Sequence, residues 1–272
     1  MTALNAYLQD NAVGQLIPWP LQQSAAEKFR LTVAEVEMVI LQAGLLPARY
    51  QRNQQMISTA QQLQLLQSTV AVVGCGGLGG YILEELARLG VGRIVAIDPD
   101  VFEEHNLNRQ LLPSIKLLGT AKVDAAVQRI AEINPAVAVN PIKGAIDRTN
   151  GQDMLAAVDL VIDGVDNIPT RLALAELCQQ MNLPLVHGAI AGWYGQVATI
   201  YPGDDTLQKL YGSWIDGKGI EAQLGNPSFT PAVAASLQVA EACKLLLAQG
   251  QLLRNKMLSI NLLSMQIHEV PL

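Results

Sequence analysis

The sequence predicts an α/β fold: a Rossmann-like, largely parallel sheet with helices on both faces, extended by antiparallel strands at the C-terminal end and preceded by an N-terminal helical extension. Three observations carry that prediction. From Val70 onward β-branched runs alternate with helix-length patterns, a glycine-rich turn stands at the first alternation, and after Pro184 the pattern changes to closely spaced strand candidates.

Taken in order, residues 1–65 read as the extension and 66–272 as the core. In the extension, Thr32 and Glu35 have capping-box spacing, Val36, Val39, Ile40 and Ala43 form one apolar stripe, and Gly44 with Pro47 supplies a stop. That is a short helix, expected to dock on the core. Near residue 66 a Gln-rich amphipathic segment gives way to STVAVVGCGGLGG. Then come VAVV, a helix from Leu78 to Leu89, RIVAID, a helix from Thr120 to Ile133, VAVNPI, DLVIDGVD, a helix from Asn167 to Met181, and PLVHGAI. The remaining strand candidates, GQVATIYP, MLSINLL and MQIHEVP, surround one long helix from Pro231 to Ala248. Between them, Gly203 to Thr230 is polar and irregular. A loop of that length is expected to lie near a site.

Composition narrows the functional classes. Half of the 272 residues are hydrophobic and 15% are charged, which assures a sizeable core and excludes a disordered chain. The apolar stretches are of strand length and MTALNAYLQDN carries no basic-then-apolar signal, so neither a membrane span nor export is expected, and the cytoplasm is the expected location. Eighteen basic against 24 acidic residues, with no Lys/Arg run, argue against a nucleic-acid partner. Three scattered cysteines, Cys75, Cys178 and Cys243, with no C-x-x-C, make neither a disulfide framework nor a four-cysteine zinc site.

Gly74-Cys-Gly76-Gly77-Leu-Gly79 follows a buried strand and opens a helix, the setting in which backbone N–H groups approach phosphate oxygens. Asp98 ends the next strand, 24 positions after Gly74, where a carboxylate accepts hydrogen bonds from ribose hydroxyls. Beyond it the sequence departs from a redox dinucleotide site. Asn106 and Arg109 follow shortly after the strand, and Lys122 lies near a helix start. Two cations near a glycine loop suit a triphosphate better than a pyrophosphate, since each added charge needs a partner once water is partly excluded. Asp163 and Asp166 with Asn167 end the strand DLVI at the carboxyl edge of the sheet. A carboxylate facing phosphates calls for a divalent cation, and Mg²⁺ is typically held by one or two carboxylates plus phosphate oxygens. Capping of the helix beginning at Asn167 is the competing role for Asp166.

Gly-x-Gly-Gly-x-Gly, Asp-x-Asp-Val, Asn-Leu-x-Arg-Gln, Gly-x-x-Lys and Asp-x-x-Asp-Asn, in that order, resemble the HesA/MoeB/ThiF adenylyltransferases, bacterial relatives of the ubiquitin-activating enzymes. The likeness carries all its motifs over residues 49 to 200. It implies an ATP-binding adenylation domain that activates the C-terminal glycine of a small ubiquitin-fold sulfur-carrier protein ending in Gly-Gly, using MgATP and releasing pyrophosphate. The route implied is of the thiamine or molybdenum/tungsten-pterin type. On that resemblance Gly77 lies over the phosphates, Asp98 meets the ribose, Asn106 and Arg109 reach the β- and γ-phosphates, Lys122 holds phosphate, and Asp166 binds magnesium beside Asn167. Arg49-Tyr-Gln-Arg52 resembles the family's Arg-Tyr-x-Arg-Gln, whose second arginine serves the ATP of the other subunit of a homodimer; Arg52 is then the trans-acting arginine, although Asn53 replaces the glutamine.

Two departures shape the expectation. The paired C-x-x-C motifs of many members are missing, so no zinc is expected, and Gly225-Asn-Pro-Ser-Phe-Thr-Pro231 lacks the cysteine that attacks the acyl-adenylate in some members. A separate sulfur donor is therefore expected to attack. Cys178 and Cys243 read as packing residues. Trp193 and Tyr194 read equally as a wall of the tail channel or as core. The rival readings are a nicotinamide-dependent oxidoreductase, a dehydratase acting on a modified nucleoside of tRNA, and a binding subunit that keeps the fold without turnover.

Overall fold

The computed structural model describes residues 2–53, 55–212 and 224–272. Its core is an eight-stranded sheet. The strands are β3 (Thr69–Val73), β4 (Arg93–Ile97), β5 (Ala138–Ile142), β6 (Leu160–Asp163), β7 (Leu185–Ala191), β8 (Tyr194–Ile200), β9 (Lys256–Asn261) and β10 (Gln266–Pro271). They lie side by side in the order β10-β9-β8-β7-β6-β3-β4-β5. β7-β6-β3-β4-β5 pair in parallel and β7-β8-β9-β10 antiparallel, as the change of pattern after Pro184 predicts.

The period-2 alternation of the buried strands sorts the core into two layers. Val70, Val72, Ile94, Ala96 and Ile162 face α5 (Gly77–Leu89), α6 (Lys122–Ile133) and α10 (Phe229–Leu247). Ala71, Val73, Val95, Ile97 and Val161 face the other side, where Leu155 follows the short α7 (Gly151–Met154), Leu174 and Leu177 lie on α8 (Ile168–Gln180), and Leu207 lies on α9 (Thr206–Tyr211). The chain builds outward from β3 through β4 to β5, then returns to place β6 on the opposite side of β3. That reversal opens a crevice at the carboxyl ends of β3 and β6, where open α/β sheets take ligands.

The N-terminal region holds more helix than the single one expected. Its helices are α1 (Thr2–Asp10), α2 (Trp19–Phe29), α3 (Val33–Gln42) and α4 (Thr59–Gln67), with a parallel pair of two-residue strands, β1 (Leu16–Ile17) and β2 (Leu46–Pro47). The α3 capping box is formed: Thr32 Oγ1 accepts from the Glu35 N–H and the Glu35 carboxylate accepts from the Thr32 N–H. Leu4, Leu8, Ile17, Ala25, Val36 and Ile40 make a separate apolar cluster. A 3₁₀ helix, Ala48–Asn53, joins this region to the core through Tyr50, whose hydroxyl donates to buried Glu37 at 2.8 Å and accepts from Asn134 at the end of α6 at 2.7 Å. Arg49 pairs with the same Glu37, whose pKa burial raises against the opposing pull of that arginine.

The stretch Gly203 to Thr230, expected as an irregular loop, contains α9 and the first residues of α10; its residues 213–223 lie outside the described residues. Among the described residues no helix is long and apolar enough to cross a membrane.

Candidate functional site

The cleft is built where the glycine turn meets the end of β6. Gly74 has φ +90°, and a Cβ there would lie 2.6 Å from the Gly164 carbonyl oxygen; a Cβ on Gly79 would lie 1.7 Å from the carbonyl oxygen of Gly74. Any side chain at either position would push the turn away from the β6 end or from its own helix. Helix α5 starts at Gly77 with no side-chain cap, and Gly74, Gly76, Gly77 and Leu78 line the cleft. A helix start without a cap, opening on a cleft, is a cradle for an anion.

Polar and charged side chains from four further segments line the same cleft: Asp98 with Asp100, Arg109, Lys122, and Asp166 with Asn167. Asp98 is buried at the end of β4; its Oδ2 accepts from the Cys75 N–H of the turn at 2.7 Å and its Oδ1 from the Asp100 N–H at 2.8 Å. Each oxygen keeps a further lone pair for an outside donor. Burial raises its pKa, and the facing Lys122 opposes that rise. Lys122 is 7% exposed and begins α6, where a cation opposes the helix dipole; Asp100 at 2.8 Å and Asp98 at 3.7 Å offset that cost. Among the described residues Arg109 donates only to the His105 carbonyl at 3.1 Å and to Asn108 Oδ1 at 2.9 Å, and no carboxylate pairs with it. A guanidinium held by neutral acceptors at a cleft wall keeps its charge for an incoming anion.

The two acidic candidates at the end of β6 separate. Asn167, not Asp166, caps α8, its Oδ1 accepting from the Thr170 N–H at 2.9 Å. Asp166 is left exposed on the cleft, with the Asn167 carboxamide 3.4 Å away. Asp163 is fully buried: its Oδ2 accepts from Arg171 Nε at 2.9 Å and lies 2.7 Å from His187 Nδ1. Burial by itself would raise the Asp163 pKa, but Arg171 and the hydrogen bond from His187 outweigh it and hold the group ionised. Burial, aided by the charge of Arg171, lowers the pKa of His187 and keeps its imidazole neutral. Among the described residues Asp166 is the one cleft carboxylate without a cation partner, and a lone carboxylate on a cleft that also carries Arg109 and Lys122 fits magnesium, a cation that takes most of its ligands from phosphate and water.

Other candidates take different places. Asn106 is buried behind the cleft wall, its carboxamide oxygen accepting from the Glu103 N–H at 2.9 Å, and it does not line the cleft. Arg52 is exposed on the 3₁₀ helix, away from the cleft of its own chain. Trp193 and Tyr194 do not fill core; they are 42% and 45% exposed, and the Trp193 ring packs at a tilt of 50° against Phe229 with ring centroids 4.5 Å apart. Cys75 and Cys178 are buried and Cys243 partly so, and burial raises the pKa of each thiol, that of Cys178 to about 12.

Other residues line the cleft as well. Gln110, which closes the Asn-Leu-x-Arg-Gln motif, and Asn226, which carries no signal that pattern reading singles out, each have a buried carboxamide oxygen with no hydrogen-bond partner among the described residues. Arg171 lines it too, and only its pairing with Asp163 from another element explains a charge on the buried side of α8.

The family profile described as "ThiF family" matches residues 50–272. The chain is 36% identical over 212 residues to the SAMP-activating enzyme E1 of Haloferax volcanii, covering 77% of this chain and 78% of that protein. It is 34% identical over 207 residues to the sulfur carrier protein adenylyltransferase of Thermus thermophilus, covering 72% and 76%. Against two plant proteins named adenylyltransferase and sulfurtransferase, those of Zea mays and Arabidopsis thaliana, it spans 51% and 58% of their length. Among solved structures, E. coli MccB with ATP superposes with a TM-score of 0.67 at 22% identity, over 92% of this chain and 82% of that one, a likeness of fold.

Proposed function

Because this chain belongs to the ThiF family, we propose that it is an ATP-dependent adenylyltransferase that activates a small ubiquitin-fold sulfur-carrier protein at its C-terminal Gly-Gly carboxylate. The names of its relatives support that substrate class over a tRNA dehydratase or a nicotinamide oxidoreductase. The observation that carries the reading is the convergence of Arg109, Lys122 and the uncapped start of α5 on one cleft with the free carboxylate of Asp166.

The chemistry follows from charge. A carrier carboxylate and a triphosphate repel each other, so cations must stand at the α-phosphorus and along the departing pyrophosphate. A carboxylate oxygen attacks the α-phosphorus, the bond to the bridging oxygen of the β-phosphate breaks, and pyrophosphate leaves with that electron pair. No general base is needed, because a C-terminal carboxyl ordinarily titrates at about pH 3.3–3.7 and is already ionised at neutral pH. In this reading the turn Gly74–Gly79 and Lys122 hold phosphate, Arg109 neutralises the leaving group, and Asp98 takes the ribose. Asp166 would hold magnesium, which would supply charge neutralisation to the phosphates. Asn106 acts from behind the wall by shaping the turn that presents Arg109.

The same reading treats residues 1–65 as a helical extension of an adenylation domain 66–272. It makes the working unit a cytoplasmic homodimer that receives Arg52 from its second subunit, needs no zinc, and leaves the sulfur transfer to a separate donor. Exchange of labelled pyrophosphate into ATP, dependent on magnesium and on a carrier ending in Gly-Gly, is the expected activity. Asp166→Ala should abolish exchange in a protein that still folds. Full exchange in that variant, or tight NADH binding without affinity for ATP, overturns the assignment.

A further inference from the structure

Asp166 has almost nothing to aim it. Its side chain is exposed and, among the described residues, meets only the Asn167 carboxamide at 3.4 Å, so what its carboxylate can reach is set by the backbone that leads into it through Val165. That residue is gripped on both sides: its N–H donates to Asp163 Oδ1 at 3.0 Å, and its carbonyl accepts from Arg171 Nη2 at 2.7 Å.

The guanidinium doing this is itself fixed from every side. Its Nε donates to Asp163 at 2.9 Å, Nη2 also reaches the Gly188 carbonyl on β7 at 3.4 Å, and the Tyr211 ring lies beneath it, with its centroid 5.2 Å away. His187, neutral, donates from Nδ1 to the same Asp163 oxygen, which leaves Nε2 to accept the Tyr211 hydroxyl at 3.2 Å. Asp163 and His187 are 0% exposed and Arg171 is 4% exposed. A buried ion pair adds little stability over apolar residues of the same size, so its service here is geometric. A planar fork reaches one carboxylate and two carbonyls from two nitrogens at a fixed spacing; an ammonium has three donors but gathers them on one nitrogen at the end of a flexible stem and cannot keep that spacing.

We propose that Arg171, held by Asp163, His187 and Tyr211, is the positioning residue that sets where Asp166 presents its carboxylate, so that the seat of α9 and the metal-binding turn form one unit. This rests on the reading of Asp166 as the metal ligand. The test uses the whole chain, a non-hydrolysable ATP analogue and Mn²⁺ as a paramagnetic replacement for Mg²⁺, with metal affinity read by electron paramagnetic resonance. Arg171→Lys should weaken Mn²⁺ binding to the analogue complex about tenfold, and Tyr211→Phe about threefold. Affinity for the analogue without metal should change less than about twofold in both, a split that loss of general packing would not produce.

A folded Arg171→Lys protein with wild-type metal affinity overturns the proposal. So does an equal fall in metal-free analogue affinity, which would make Arg171 a direct substrate contact. If Arg171→Lys does not fold, Tyr211→Phe decides alone, and unchanged Mn²⁺ affinity in it is the overturning result. Asp166→Asn separates the two levels. Wild-type Mn²⁺ binding in that variant defeats the metal reading, whereas loss of binding there with none in Arg171→Lys defeats only the positioning role.

Discussion

A cation at the start of a helix is out of place unless something other than helix stability keeps it there, and Lys122 is such a cation. Its two acidic neighbours hold it poised at the cleft without filling its hydrogen-bonding capacity. The cysteines tell the opposite story. Each thiol is kept protonated by burial, so none has the thiolate character that attack on an acyl-adenylate requires. A folded triple Cys→Ala variant should therefore keep pyrophosphate exchange; loss of exchange in the folded variant would implicate a thiol. His187 yields a pH prediction. Its folded pKa lies below its unfolded value of about 6.5, so the unfolded chain takes up a proton that the folded chain refuses. The stability it contributes is full above about pH 6.5 and falls as the pH drops below it. Urea unfolding should show the loss between about pH 7.5 and about pH 5.5 shrinking in His187→Gln, where no such proton exists. An identical loss in wild type and variant would place the titration elsewhere.

At the scale of elements, the glycine turn and α5 act as one piece. β3 and β6 are hydrogen-bonded neighbours, with Val73 in register with Asp163, and the turns that leave them touch through Gly74 and Gly164. The glycine turn and the acidic turn are thus braced against each other, and a change in one is felt in the other. Gly79→Ala tests this coupling: with the Gly74 carbonyl oxygen 1.7 Å from the added Cβ, the turn must open or the helix must shift. Calorimetric melting should show a lower Tm together with weaker ATP binding, and a variant with wild-type values for both would show that the two turns are not braced.

For the whole molecule, the position of Arg52 matters most. It lies exposed on a 3₁₀ helix that Tyr50, Glu37 and Asn134 fasten to the core, firmly held but outside the cleft of its own chain. If it serves a second subunit, Arg52→Ala and Asp166→Ala should each be inactive alone and complement one another when mixed. A mixed dimer contains one site with Asp166 from one chain and Arg52 from the other. With equal random mixing, half the dimers are mixed and half their sites intact, so about a quarter of wild-type exchange should return. No recovery after subunit exchange would mean that Arg52 acts in its own chain or not at all.

Local pattern in the sequence determined the order of the core strands and of the longer helices between them, the glycine turn, the cap of α3, and the succession of motifs that brings Asp98, Arg109, Lys122 and Asp166 to one edge of the sheet. These are short-range properties: period-2 burial, helix starts and stops, and a βαβ rule that sends every strand's end to the same side. The tertiary structure alone decided which of two neighbouring carboxylates is free. Asp163 and Asp166 look alike in sequence, and only the arrival of Arg171 from α8 and His187 from β7 turns the first into a buried counter-ion and leaves the second facing the cleft. Burial and charge pairing depend on residues that are remote along the chain and adjacent in space, and a single sequence read from end to end does not record that adjacency.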